Sequence, residues 1–256
     1  MLLDFDSLLK KYDINISGIA HFGAHLGQEV SEYKKAGSFP IHLFEPQKKI
    51  FSDLSKSFHD EENVYLYNYG LGNENKRIEI NLNTNNQGMS ASILEPDLHL
   101  KIHPNVTFKG TETIQIQRYD ELNIDDVNFF AIDVQGYELE ALKGCTKSLK
   151  NIDYILTEVN RKELYKGCVI VDELDSFLKD YNFFRVETSW WQKTIPWGDA
   201  FYIQKNLVTN HKILFTQISN KIKSFKIYFW FIARFIYLNR FLKRLTNKIK
   251  RDFFKI

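Results

Sequence analysis

Apolar and polar positions along the chain fall into two alternating rhythms. Short apolar runs, ISGIAHF (16–22), PIHLFEP (40–46), NVYLYNYGLG (63–72), VNFFAIDVQG (127–136) and YILTEVN (154–160), are too brief for helices and end in Gly, Pro or polar residues, as buried strands do. Between them QEVSEYKKAG, KKIFSDLSKSFHD, ELEALKGCTKSLK and DELDSFLKDY show helical spacing, the first with a terminal glycine suited to a C-cap. A short lead-in helix is predicted within the first eighteen residues. Strand-helix alternation of this kind predicts a doubly wound α/β sheet with right-handed crossovers. NFFRVETSW and DAFYIQK, close in sequence, are expected to pair as antiparallel neighbours at its end. RIEINLN and ETIQIQRY flank a polar stretch, 83–110, read as an excursion over the active face.

Charge divides the chain. Residues 205–256 hold 13 Lys and Arg against one acid, Asp252, a balance of +12 that leaves −10 for residues 1–204 in a chain of net charge +2. A boundary is therefore expected near Lys205, separating an acidic body (1–204) from a basic tail (205–256). In the tail Phe235, Leu238, Leu242, Leu245, Ile249 and Phe253 form a stripe, with Arg244, Lys248, Arg251 and Lys255 off it, the pattern of a basic amphipathic helix. Its apolar segment IYFWFIARFIYL is broken by Arg234 and falls short of the ~20 apolar residues of a membrane span, so an anionic membrane surface is the expected partner. The plainer alternative is a helix docked on the body. The acidic body argues against nucleic acid as a partner. The two cysteines, Cys145 and Cys168, have neither disulfide-framework nor zinc spacing, and the first residues lack the apolar run of a secretory signal, which suits the cytoplasm.

In a doubly wound sheet ligands lie beyond the carboxyl ends of the strands, so the loop after the first strand, GAHLGQE, is where a cofactor belongs. Gly23 and Gly27 allow close approach of backbone to ligand, and Glu45, eighteen residues past Gly27 at the end of the second strand, is placed to accept hydrogen bonds from a ribose. Neither G-x-G-x-x-G nor the P-loop occurs, so nothing is built around a pyrophosphate; an adenosine ligand without one, S-adenosylmethionine, fits. His21 and His25 form an H-x-x-x-H pair, but Gly23 between them makes a metal pair the minority reading.

Asp133, Gln135 and Glu138 follow the most apolar strand, Glu158 and Asn160 end the next, and Asp199 starts the antiparallel one from the same edge. Clustered carboxylates raise one pKa enough for a general base, or together bind a divalent cation, and the residues leave that choice open. The plainer reading is that Asp133 and, more so, Glu138 cap the following helix. His99 and His103 are further base or acceptor candidates, Ser90 and Ser92 candidate hydrogen-bonding groups, and Trp190, Trp191 and Trp197 candidate platforms for a sugar ring.

GAHLGQE, LFEP, NYGLG, IDVQGYELEALKG, LTEVN and WGDA, in that order, resemble the FkbM family of S-adenosylmethionine-dependent methyltransferases over nearly all of residues 16–205, IDVQGYE being the most specific part. Many relatives carry Asp at the position of His21, others His. The resemblance implies a Rossmann-like class I methyltransferase fold and methylation of hydroxyls on sugars or sugar-bearing products. Gly23, Ala24, His25, Gly27, Gln28, Glu45, Gly70, Asp133 and Gln135 are then assigned to the cofactor, and Asp133, Glu158 and His103 to catalysis. A nucleic-acid methyltransferase or a catalytically idle scaffold are the alternatives.

Overall fold

The apolar runs become the spine of the fold. A computed structural model describes residues 1–85, 88–192 and 195–207. In chain order they form α1 (Phe5–Tyr12), β1 (Ile19–Phe22), α2 (Val30–Ala36), β2 (Ile41–Phe44), α3 (Lys48–Phe58), β3 (Val64–Tyr67), β4 (Gly70–Leu71) and β5 (Lys76–Asn83). There follow α4 (Leu98–Ile102), β6 (Phe108–Gln117), β7 (Phe129–Ile132), α5 (Glu138–Lys143), β8 (Tyr154–Asn160), α6 (Val171–Asp180), β9 (Phe183–Trp190) and β10 (Trp197–Gln204). Every residue of β1, β2, β7 and β8 is buried, as continuous apolar runs covered on both faces require.

The main sheet has the order β3-β2-β1-β7-β8-β10-β9. β3 to β8 along this order are parallel, while β10 runs antiparallel to both β8 and β9. The expected hairpin is present, and β10 is inserted between β8 and β9, which places Asp199 opposite Glu158. The order reverses between β1 and β7, so a crevice opens at their carboxyl ends.

α1 is capped by Asp4, whose carboxylate accepts the Ser7 N–H at 2.8 Å, and packs one face on the sheet and on α2: Phe5 against Phe129 and Tyr33, Tyr12 against Phe201. The helix read over ELEALKGCTKSLK is shorter than expected. α5 stops at Lys143, and a Cβ on Gly144 would lie 2.0 Å from the Gly72 carbonyl oxygen, so the chain turns where only glycine fits. The two strands flanking the excursion pair with each other, from Lys76 opposite Ile116 to Asn83 opposite Phe108, and with β4 build a second sheet. The excursion itself contains α4, which was not foreseen.

No helix among the described residues is long and apolar enough to cross a membrane. The tail stripe, Phe235 to Phe253, and the basic residues after Lys205 lie outside the described residues.

Candidate active site

The β1–α2 loop turns at Gly23, whose φ of +81° favours glycine. The N–H groups of Gly23 and Ala24 both donate to the Phe44 carbonyl at 2.9 Å. A Cβ on Gly23 would lie 1.9 Å from the Asp133 carbonyl oxygen, and one on Gly27 2.5 Å from a Phe58 ring carbon. Protein atoms of the β7 terminus and α3 therefore crowd any side chain at both positions. His21 Nδ1 meets the Tyr33 hydroxyl at 3.2 Å and His25 Nδ1 meets Gln28 Nε2 at 2.8 Å, so the two rings serve different partners. Among the described residues no group of three or more His, Cys, Asp or Glu gathers where a metal ion could be held.

Glu45, 3 % exposed at the end of β2, is fixed by backbone. Its Oε2 accepts the His25 N–H at 3.0 Å, its Oε1 the Gln47 N–H at 2.8 Å, and Asn68 Nδ2 donates to its carbonyl at 3.0 Å. Burial nonetheless raises the carboxyl to about 7. A carboxylate offers about four acceptor sites, so the two amides leave capacity for further donors. Gly70, in β4, is buried, and a side chain there would first meet Ile116 and then Pro46, which follows Glu45.

At the ends of β7 and β8 the organising residue is Gln135, in a left-handed conformation with φ of +53°. Its Nε2 donates to Asp133 Oδ1 at 2.7 Å and to Glu158 Oε2 at 3.1 Å, while its Oε1 accepts the Tyr165 hydroxyl at 2.8 Å. Its carbonyl accepts the Ser92 hydroxyl at 2.7 Å, which spends that side chain on the protein; the Ser90 carbonyl accepts the Tyr165 hydroxyl at 3.3 Å. Thus the excursion is latched to the strand ends. Glu138, fully buried, accepts the N–H groups of Gly136 at 3.0 Å and Val134 at 3.3 Å through Oε1, so it shapes the loop ahead of α5. Burial raises it to about 7, and its Oε2 has no partner among the described residues. Glu158, 8 % exposed, is held well above the usual carboxylate range by burial and then by Asp133, Glu138 and Asp199. Asp199 is spent on the N-terminal segment, accepting the N–H groups of Leu2 and, at 3.1 Å, Leu3.

Asn160 ends β8 on the same face as Glu158, two residues on, with Trp197 as its cross-strand partner. It is 1 % exposed, and neither Oδ1 nor Nδ2 has a partner among the described residues. An enclosed polar group left so costs about 1–3 kcal/mol. Trp197 stacks on Trp191 with ring centroids 5.4 Å apart and planes 12° apart, and Trp191 is 51 % exposed. The Arg161 guanidinium lies 3.8 Å from the Trp190 ring centroid.

The histidines of the excursion depart from expectation. His99, a base or acceptor candidate from the polar excursion, is buried in α4, 5.2 Å from the Tyr165 ring, and burial pulls it down to about 4. It is neutral at physiological pH. His103 ends α4 with its ring 5.0 Å from that of His99. Tyr165, which sequence reasoning passed over, ties the Gln135 side chain to the excursion, beside the direct Ser92 bond to the Gln135 carbonyl; KELYKGC has no periodicity or motif that marks it.

Residues 21–184 match the family model described as Methyltransferase FkbM domain. The 2-O-methyltransferase NoeI of Sinorhizobium fredii is 32% identical over 97 residues, 35% of this chain and 40% of that protein. The hexuronic acid methyltransferase AglP of Haloferax volcanii is 34% identical over 59 residues, 22% of this chain and 25% of that protein. The chain thus spans less than half the length of these curated relatives. Among solved structures, the methyltransferase FkbM from Methylobacillus flagellatus superposes with a TM-score of 0.50 at 14% identity, covering 73% of this chain and 43% of that one. The doubly wound sheet with its inserted antiparallel strand is accordingly a class I methyltransferase fold. With 164 of its 256 residues inside the family match, the chain belongs to the FkbM methyltransferase family.

Proposed function

We propose that this protein transfers a methyl group from S-adenosylmethionine to a hydroxyl of a sugar in a glycan or glycoconjugate. The observation that carries the reading is Glu158, enclosed at the carboxyl edge of β8 and made proton-hungry by burial and by Asp133, Glu138 and Asp199. Sugar as acceptor is supported by the hexuronic acid named for AglP, and O-methylation by the name of NoeI. Glu45 fits the cofactor: its carboxylate, raised to about 7 by burial and holding two backbone amides, has acceptor sites left for the two ribose hydroxyls. The loop 23–28 would border the same group.

When bound, the cofactor supplies an electrophilic methyl on a sulfonium. The work left to the protein is to align an acceptor hydroxyl and remove its proton. Glu158 Oε1 is the group that takes it, since Gln135 holds Oε2. Asp133, held through the same amide, anchors the turn that follows β7 beside Glu158. His103, its ring 5.0 Å from that of His99, is the further base candidate beside Glu158 and Asp133.

Titration calorimetry with S-adenosylhomocysteine and transfer of labelled methyl onto a glycan panel test the reading. Binding and transfer to a sugar hydroxyl are expected; no heat from the folded full chain would remove it and favour the scaffold. The balance of −10 over residues 1–204 disfavours nucleic acid as acceptor. For the basic residues 205–256 the same proposal assigns an anionic membrane at the cytoplasmic face, each charge near the surface contributing on the order of 1 kcal/mol. Full-length protein should float with anionic vesicles in low salt and lose much of that binding in high salt; equal binding to neutral vesicles would count against it.

A further inference from the structure

We infer that the Asn160 side chain is a recognition site for two neighbouring hydroxyls, so that the acceptor is a sugar with a free vicinal diol. The inference rests on the methyl-transfer reading and narrows its substrate class. A primary amide presents one donor and one acceptor side by side in a plane, which complements a diol in which one hydroxyl accepts and the other donates. Asn160 is buried with both atoms unpartnered among the described residues, at the end of the strand that carries Glu158. Its neighbours among the described residues leave the amide unanswered, whereas Gln135 is spent on Asp133, Glu158 and Tyr165, and Asp199 on Leu2 and Leu3.

The placement suits a sugar ring. Residues two apart on one strand face share a side and lie about 6.5 Å apart, a span a pyranose bridges, so hydroxyls held at Asn160 leave a further hydroxyl of the same ring at Glu158. The cross-strand partner of Asn160 is Trp197, which stacks on the half-exposed Trp191. This pair sets a partly exposed aromatic face beside the strand end that carries the amide, and aromatic faces receive the C–H faces of sugars. A ligand entering there displaces nothing that Asn160 already bonds.

The test uses the full chain saturated with S-adenosylhomocysteine. Saturation-transfer NMR compares methyl α-D-mannopyranoside and methyl α-D-glucopyranoside, which carry vicinal diols, with methyl 3-deoxy-α-D-glucopyranoside, whose remaining hydroxyls, at C2, C4 and C6, are nowhere vicinal. The wild type is expected to bind at least one intact glycoside about tenfold or more tightly than the deoxy sugar, because a site built around hydroxyls rejects the analogue lacking one. Asn160→Leu should reduce that preference to within about threefold and leave S-adenosylhomocysteine affinity unchanged. It should also melt about 2–4 °C higher, since an apolar group of similar size replaces an unanswered amide. Asn160→Asp keeps the shape and the acceptor but removes the donor, and should lose the preference too, which covers the case in which the leucine variant does not fold. Equal binding of all three sugars, no binding of any, retained preference in the variants, or a lowered melting temperature for Asn160→Leu would overturn the inference. A wild type that fails to bind S-adenosylhomocysteine would instead overturn the methyl-transfer reading itself.

Discussion

Glu45 and Glu158 are the same residue type at equivalent places, the carboxyl ends of β2 and β8, on either side of the crevice between β1 and β7. Both are buried, yet they are held differently. Glu45 is gripped by two backbone N–H groups from the loops that flank it, so its position is fixed by the fold. Glu158 receives the side-chain amide of Gln135 and faces Asp133, Glu138 and Asp199, so its charge is opposed more than it is supported. Fixed dipoles make a preformed acceptor for a ligand. Crowded carboxylates make a group that gains by taking up a proton. One edge of one sheet thus separates binding from proton transfer by the company each carboxylate keeps.

The sharpest way to break this comparison is at Glu158. Glu158→Gln keeps the shape and should lower turnover by about 10²–10⁴, the usual contribution of a positioned base, while S-adenosylhomocysteine affinity by calorimetry stays within about threefold. Asp133→Asn should fall in the same direction. Near-normal turnover in both variants would return these acids to a purely structural role.

At Glu45 the expected effect is on binding and is smaller. Glu45→Gln should weaken cofactor affinity by about 1–3 kcal/mol with turnover at saturation retained. The pH dependence has a definite sign. Burial raises the Glu45 carboxyl to about 7, and ribose hydroxyls donating to it would favour the charged form and lower that value. Cofactor affinity should therefore rise as pH increases through about 7 and level off above, with proton release on binding, and Glu45→Gln should flatten the profile. Stability of the free protein should move the opposite way. Glu45 and Glu138, both raised to about 7, contribute stability that is full below the ordinary carboxylate range and lost as pH climbs through about 7. Thermal melts of the free and cofactor-bound protein across pH 5–8 would show the two trends diverging.

Much of this edge was legible in the chain. β1, β2, β7 and β8 announce themselves as apolar runs, and once the alternation fixes a doubly wound sheet, Glu45, Asp133 and Glu158 must fall at its carboxyl edge. A second reason for the glycines was not legible: side chains at Gly23 and Gly27 would also strike the Asp133 carbonyl and the Phe58 ring, contacts set by tertiary packing. The burial of His99 was not legible because five residues of helix, α4, carry too short a period to detect, and its ring lies against Tyr165 sixty-six positions later. The Gln135–Tyr165 bond likewise joins residues thirty apart through a loop with no pattern of its own.

That bond supplies the finest test of how Glu158 is held. Gln135 donates from one nitrogen to Asp133 and Glu158, and such donation favours the charged form of Glu158. Gln135→Leu removes it, so the proton affinity of Glu158 should rise further and the acid limb of the pH–rate profile should move to higher pH. Turnover at neutral pH should drop about tenfold and recover in part as pH is raised, whereas a merely structural defect would lower the rate uniformly across pH. Tyr165→Phe is gentler. It leaves Gln135 in place but takes the hydroxyl from its Oε1, removing the bond that selects the orientation in which Nε2 faces both carboxylates. Loss of one neutral hydrogen bond corresponds to about 0.5–1.5 kcal/mol, so a fall of roughly two- to tenfold, with the acid limb shifted in the same direction as for Gln135→Leu but less far, is expected. An unchanged limb in both variants would show that Gln135 positions the loop without tuning the proton affinity of Glu158.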